Sequence, residues 1–151
     1  MKIEIADKRD YPELIKIWEA SVRATHFFLK EEDIVFLLPL ILNQYFDAVE
    51  LRCARDNQDK ITGFCGVTEN KLEMLFIAPE SRGQGIGSAL CRHVIDNMHV
   101  TAVDVNEQNP QAVGFYEHIG FGITGRSPVD GQGNPFPLLH MKLRKNLPTG
   151  Q

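Results

Sequence analysis

Three groups of residues in this chain have types and spacings that could do chemistry. The first is Arg82-Gly83-Gln84-Gly85-Ile86-Gly87-Ser88, a turn between an apolar run and an amphipathic one. Alternate glycines let the backbone approach a ligand closely and point successive N–H groups one way. At the start of a helix those amides are unpaired donors and the peptide dipole favours an anion, so the turn suits a phosphate or pyrophosphate. A tight strand-to-helix connection would use the same residues, and the turn by itself leaves both readings open. The second group runs from Asn109 to Phe121, with Ala112, Phe115 and Ile119 on one helical face and Tyr116 on a neighbouring one. A phenol of ordinary pKa, about 10, stays protonated at neutral pH and could give its proton to a departing thiolate. Asn109 could bond a ligand's amides or cap the helix. The third group is the carboxylates Glu73, Asp104 and Glu107, candidate bases on or beside two strands. Strand carboxylates also serve simply to face solvent.

The elements that must position these groups follow from periodicity. Lys2 to Ala6 alternates as a strand, and helical spacing runs from about residue 10 to 23 and from 31 to 44, where Pro39 is expected to kink or divide the helix. Val49–Arg55, Ile61–Glu69 and Leu72–Ile77 read as three strands of an antiparallel meander. The glycine turn opens a helix with Ile86, Leu90, Val94 and Met98 on its apolar face. Val100–Val105 is a strand, Pro110–His118 a helix ended by Gly120, and Phe121–Gly125 with Leu138–Leu143 two closing strands. The order is strand, two helices, three strands, helix, strand, helix, two strands: a mixed α/β domain over residues 1–145, with a flexible tail at 146–151.

Composition bounds the function. The 151 residues suffice for one domain with its own core. A net charge of −4 counts against a bulk nucleic-acid partner, though not against a small anion met locally. Cys53, Cys65 and Cys91 are odd in number, form no CxxC pair and read as core residues in a reducing cytoplasm. His93, His99, His118 and His140 have no metal-ligand spacing, so no metal is expected. The longest apolar stretch, Ile34 to Leu42, is too short for a membrane span, and a soluble cytoplasmic protein is expected.

The glycine turn lacks the GxxxxGK[ST] of a P-loop, and Ser88 stands where a GxGxxG dinucleotide fingerprint needs its last glycine. It does fit [Q/R]-x-x-G-x-[G/A] through Arg82, Gly85 and Gly87, and so resembles the acyl-CoA pyrophosphate loop of the GNAT superfamily of N-acetyltransferases. Leu75-Phe76-Ile77-Ala78-Pro79 is similar to that family's fourth strand, and Asn109 to Phe121 matches its second signature, NxxAxxFYxxxGF. Ser21–Leu29, Asn106–Asn109 and Gly125–Ser127 resemble the bacterial YjaB-like branch.

The resemblance implies a single-domain GNAT fold with a mixed, mostly antiparallel sheet flanked by helices. It implies acetyl-CoA bound by Leu75, Phe76, Ile77, Arg82, Gly83, Gln84, Gly85, Ile86, Gly87, Ser88, Asn109 and Tyr116, with the N–H of Phe76 or Ile77 on the thioester carbonyl. Tyr116 would be the general acid, and Glu73, then Asp104, the base, directly or through water. Arg23, His26 and Phe27 would line the acceptor wall, where His26 binds a carboxylate or shuttles a proton. The acceptor would be a small-molecule or peptide amine, and a homodimer is a family expectation. The alternative is a non-catalytic acyl-CoA-binding regulatory module.

Overall fold

The computed structural model describes residues 1–25 and 29–144. Strand β1 (Lys2–Ile5) leads through an Asp7-capped turn into α1 (Tyr11–Thr25), whose buried Leu14, Ile17, Trp18 and Val22 follow the expected helical spacing. Helix α2 (Glu31–Leu40) continues past Pro39. The proline has no N–H to give to the preceding turn and its ring crowds the carbonyl four residues back. The helix does not stop: Ile41–Tyr45 widens into a π turn and α3 (Phe46–Ala48) closes the segment.

Strands β2 (Glu50–Arg55), β3 (Ile61–Thr68) and β4 (Lys71–Ile77) form the expected meander. Helix α4 (Ile86–Met98) then leads to β5 (Ala102–Asn106), and α5 (Pro110–Ile119) to the closing strands β6 (Phe121–Ser127) and β7 (Leu138–Leu143). The sheet order is β1-β2-β3-β4-β5-β7-β6, and β4–β5 is its parallel pair among antiparallel neighbours.

Alternation along the strands builds two cores. Ala54, Cys65, Leu72, Val103, Val105 and Met141 pack with Leu90, Cys91 and Val94 of α4 and Ile119 of α5 on one face. Cys53, Phe64, Met74 and Phe76 pack with Leu14, Trp18, Val22 and Ile41 on the other. Strand β3 contributes to both, so its residues from Ile61 to Val67 are buried without a polar alternation. The second core covers β2, β3 and β4. On that face β5, β7 and β6 present Asp104, His140 and Ser127 instead.

Candidate active site

The site exists because two parallel strands part. Strands β4 and β5 are in register only at Lys71 with Ala102 and Leu72 with Val103. Beyond those pairs they separate, and a cavity of about 360 Å³ opens between the end of β4, the glycine turn and α5. The N–H of Ala78 donates to the Thr62 carbonyl at 2.9 Å. Antiparallel ladders alternate, so the N–H of Phe76 also turns onto β3, whereas those of Leu75 and Ile77 turn toward the opening. This corrects the sequence expectation for Phe76: Leu75 and Ile77 are the amides available to a ligand. Phe76 lines the cavity but sends its ring into the second core.

The glycine turn supplies the second wall. Gly83 and Gly85 have φ of +78° and +81°, a conformation L side chains rarely adopt. Gly85 caps α4, and the first helical bond runs from the Ala89 N–H to the Gly85 carbonyl at 3.0 Å. The amides of Ile86, Gly87 and Ser88 precede that bond and have no acceptor within their own helix. All three residues line the cavity with Arg82, Gly83 and Gly85, which gives a positive helix end and a guanidinium side by side. Gln84 is exposed and outside the lining.

Helix α5 supplies the third wall. Its cap is Asn109, whose side-chain oxygen accepts from the Ala112 N–H at 3.2 Å, so the capping role holds while Asn109 still lines the cavity. Tyr116 is only 8% exposed, with its ring edge-on to Phe115 and Phe121. Burial, with the neighbouring thiols of Cys91 and Cys65, pushes its phenol well above the ordinary value. Burial therefore favours the protonated phenol.

The carboxylates stand elsewhere. Neither Glu73 nor Asp104 lines the cavity. Glu73 accepts from the Thr68 hydroxyl and lies 3.9 Å from the Lys71 ammonium. Asp104 is paired with Lys71 through one oxygen and bonded to Nδ1 of His140 at 2.7 Å through the other. Burial alone would raise its carboxyl, but the Lys71 and His140 bonds outweigh that and hold it low. Glu107 is gripped by Arg126 through two bonds of 2.6 and 3.0 Å, which also lowers it.

Arg23 clamps α1 to α2, through Glu19 at 2.9 Å and Glu31 at 2.6 Å, and does not line the cavity. His26 and Phe27 lie outside the described residues. Ser21 and Thr25 of α1, Ser81, and Gln111 also line the cavity, although the sequence reading gave none of them a site role. The spacing of small hydroxyl residues on a helix does not reveal which way they face. Only the packing of α1 across the mouth shows where they face. Among the described residues no His, Cys, Asp or Glu cluster could hold a metal ion, and no helix is long and apolar enough to cross a membrane.

The parted β4–β5 pair, the amides at the start of α4 and the buried Tyr116 thus meet on one cavity. The family model for the acetyltransferase (GNAT) domain matches residues 39–145. The chain belongs to the GNAT acetyltransferase family. It is 44% identical over 128 residues to the peptidyl-lysine N-acetyltransferase YjaB of Salmonella typhimurium, covering 85% of this chain and 88% of that one. Its identity to the Escherichia coli protein of the same name is 41%, over 85% of this chain and 87% of that one. The solution structure of apo YjaB from Escherichia coli superimposes with a TM-score of 0.82 at 38% identity, over 93% of this chain and 95% of that one. A Thermoplasma acidophilum PaiA N-acetyltransferase solved with coenzyme A shares the fold, with a TM-score of 0.69 at 21% identity over 95% and 100% of the two chains. As a GNAT member the protein is an acetyl-CoA-dependent N-acetyltransferase, which sets aside the non-catalytic alternative.

Proposed function

We propose that this GNAT enzyme moves the acetyl group of acetyl-CoA to the ε-amine of a lysine in a peptide or protein, by direct attack, with Tyr116 as the general acid. The observation that carries the reading is the single cavity on which the β4 edge, the amides of α4 and Tyr116 converge. The lysine acceptor is supported by two relatives above 40% identity that are named peptidyl-lysine N-acetyltransferases.

On this reading the amides of Ile86, Gly87 and Ser88, with Arg82, hold the pyrophosphate. The N–H groups of Leu75 and Ile77 face the opening where the thioester carbonyl lies, and one of them stabilises the oxyanion that develops there. Tyr116 protonates the departing thiolate; its buried phenol is the stronger hydrogen-bond partner for being screened from water. The amine must be neutral to attack, and a lysine of pKa about 10.4 is under roughly one part in a thousand neutral at pH 7.

The test is a panel of acceptors offered with acetyl-CoA: a lysine peptide with a blocked N-terminus, the same peptide with its lysine replaced by norleucine and its N-terminus free, spermidine, and free amino acids. Thiol release and a mass gain of one acetyl group on the blocked lysine peptide are expected. Turnover confined to the α-amine or to spermidine would overturn the acceptor assignment.

A further inference from the structure

Helix α1 crosses the mouth of the cavity with a polar residue on its buried side. Ser21 belongs to the stripe that α1 turns inward with Leu14, Ile17, Trp18 and Val22, and it is only 7% exposed. A helical serine in such a place ordinarily returns its hydroxyl to the carbonyl one turn back. Thr25 does so, donating to the Ser21 carbonyl at 2.9 Å. The Ser21 hydroxyl makes no such bond, and among the described residues it has no hydrogen-bond partner. Nor is it sealed in the core, because it opens on the cavity. A buried hydroxyl left unpaired costs stability that an apolar side chain of the same size would not, so its partner is to be sought in what fills the cavity.

The place of Ser21 decides which ligand atom it meets. Helix α1 packs on β4 and on the turn that follows it. At Ile17 and Ala20 the helix shares a second cavity, of about 240 Å³, with Ala78 and Pro79. At Ser21 it has passed onto the first cavity, where Leu75, Phe76 and Ile77 belong to the same lining. On the acetyl-transfer reading the other three walls serve the donor: the β4 amides take the thioester carbonyl, the α4 amides the pyrophosphate, and Tyr116 the sulfur. The cavity's other buried serine, Ser81, stands beside Arg82 on the donor's side. The wall left to the incoming amine is α1.

We propose that the Ser21 hydroxyl oxygen accepts an N–H of the attacking amine and so aims its lone pair at the acetyl carbon. The proposal rests on the acetyl-transfer reading above and names the residue that receives the acceptor. A neutral amine brings N–H donors, and a serine oxygen has lone pairs to accept one of them. As the C–N bond forms the nitrogen gains positive charge, and a hydrogen bond from a charged nitrogen is the stronger one. The contact therefore tightens toward the transition state, where it lowers the barrier instead of only holding the substrate. The C–S bond then breaks with its electron pair on sulfur, and the sulfur takes the Tyr116 proton. The proton that the nitrogen sheds restores the phenol through water. Ser21 keeps its own proton throughout.

The experiment compares wild type with Ser21→Ala and with Ser21→Cys, which keeps the shape and puts a weakly accepting sulfur in place of the oxygen. With a blocked lysine peptide, kcat should fall roughly tenfold to hundredfold in both variants while KM changes less. The loss should be the same at every pH, because no proton passes through the hydroxyl. Acetyl-CoA affinity by calorimetry should stay at wild type. The melting temperature of the free enzyme should hold or rise in Ser21→Ala, since no internal bond is lost. An unchanged kcat, a loss carried by KM alone, or an acetyl-CoA affinity that falls by the same factor would overturn the assignment. So would a lower melting temperature in Ser21→Ala, which would make the hydroxyl a structural group.

A second measurement needs no turnover. An adduct with the lysine Nε joined to the CoA sulfur through an acetyl bridge carries an N–H to the same place. Ser21→Ala should bind it about tenfold more weakly, with its affinity for CoA alone unchanged. Equal affinities of variant and wild type for the adduct would overturn the proposal. A wild type inert toward the lysine peptide but active on spermidine or an α-amine would overturn the acceptor assignment alone, and the same kcat comparison with that amine then decides Ser21.

Discussion

The side-chain amide of Gln132 donates to the hydroxyl of Tyr45, joining residues 87 apart and tying the β6–β7 loop to the π turn that follows Pro39. The loop is itself braced: Asp130 accepts from the N–H groups of Gln132 and Asn134, each at 2.9 Å. The tie joins the loop that follows Ser127 to the segment that follows Pro39. Tyr45→Phe should raise the KM for a peptide acceptor several-fold while leaving acetyl-CoA affinity unchanged. Steady-state kinetics with calorimetry of acetyl-CoA binding check it, and an unchanged acceptor KM would show that the tie has no part in acceptor binding.

Tyr116→Phe keeps the ring contacts with Phe115 and Phe121 and removes only the proton. A loss in kcat of about 10²–10⁴ is expected where chemistry limits the rate, with little change in acetyl-CoA affinity. Because burial raises the phenol's pKa, wild-type kcat should show no loss from tyrosine ionisation near pH 10. A basic limb there that disappears in the phenylalanine variant would contradict the buried acid.

Two glycines of the turn separate backbone strain from ligand approach. Gly85 needs its left-handed φ of +81°, although a Cβ there would meet nothing within 4 Å. Gly85→Ala should therefore cost about 1–2 kcal/mol of stability through conformation alone, and weaken acetyl-CoA binding by disturbing the amides it caps. At Gly87 a Cβ would make ordinary 3.5 Å contact with Phe115, so Gly87→Ala should melt near wild type. A lower acetyl-CoA affinity in that variant would then measure how closely the ligand approaches the helix start. Thermal melts alongside calorimetry distinguish the two.

Asp104→Asn should cost about 1–2 kcal/mol at pH 7, since Lys71 and His140 both lose a charged acceptor. The folded carboxyl lies below its unfolded value, so its contribution is present above the unfolded pKa of about 3.9 and is lost as pH falls through the folded one. The difference between wild type and variant should hold from pH 7 to about 5 and close below about 4. Chemical denaturation across that range measures it. A difference that persisted unchanged at the acid end would mean the charge was not its source.

Much of this was legible before any coordinates. Periodicity placed β1, α1, the meander, α4 and α5 to within a few residues, because a half-buried helix or strand must repeat its apolar residues at its own period. Gly83 and Gly85 were readable because few other residues tolerate their φ, and Asn109 because a helix start needs a cap. The outcome of Pro39 was not legible. Whether a helix breaks, kinks or widens at a proline depends on what holds its two ends, and here Ile41 and Phe46 are both anchored in the second core.

The sequence by itself determined the element order, the glycine turn at a helix start and the Asn109–Phe121 motif, because each is written in local spacing. Only the tertiary structure decided where β4 and β5 part, and therefore that Leu75 and Ile77 rather than Phe76 offer their amides. It likewise decided that Asp104 serves His140 and Lys71, and that Ser127 completes the line. Residues 104, 127 and 140 share no period and no motif. What brings them within hydrogen-bond distance is the strand order β5-β7-β6, a consequence of the closing hairpin pairing through its second strand with β5.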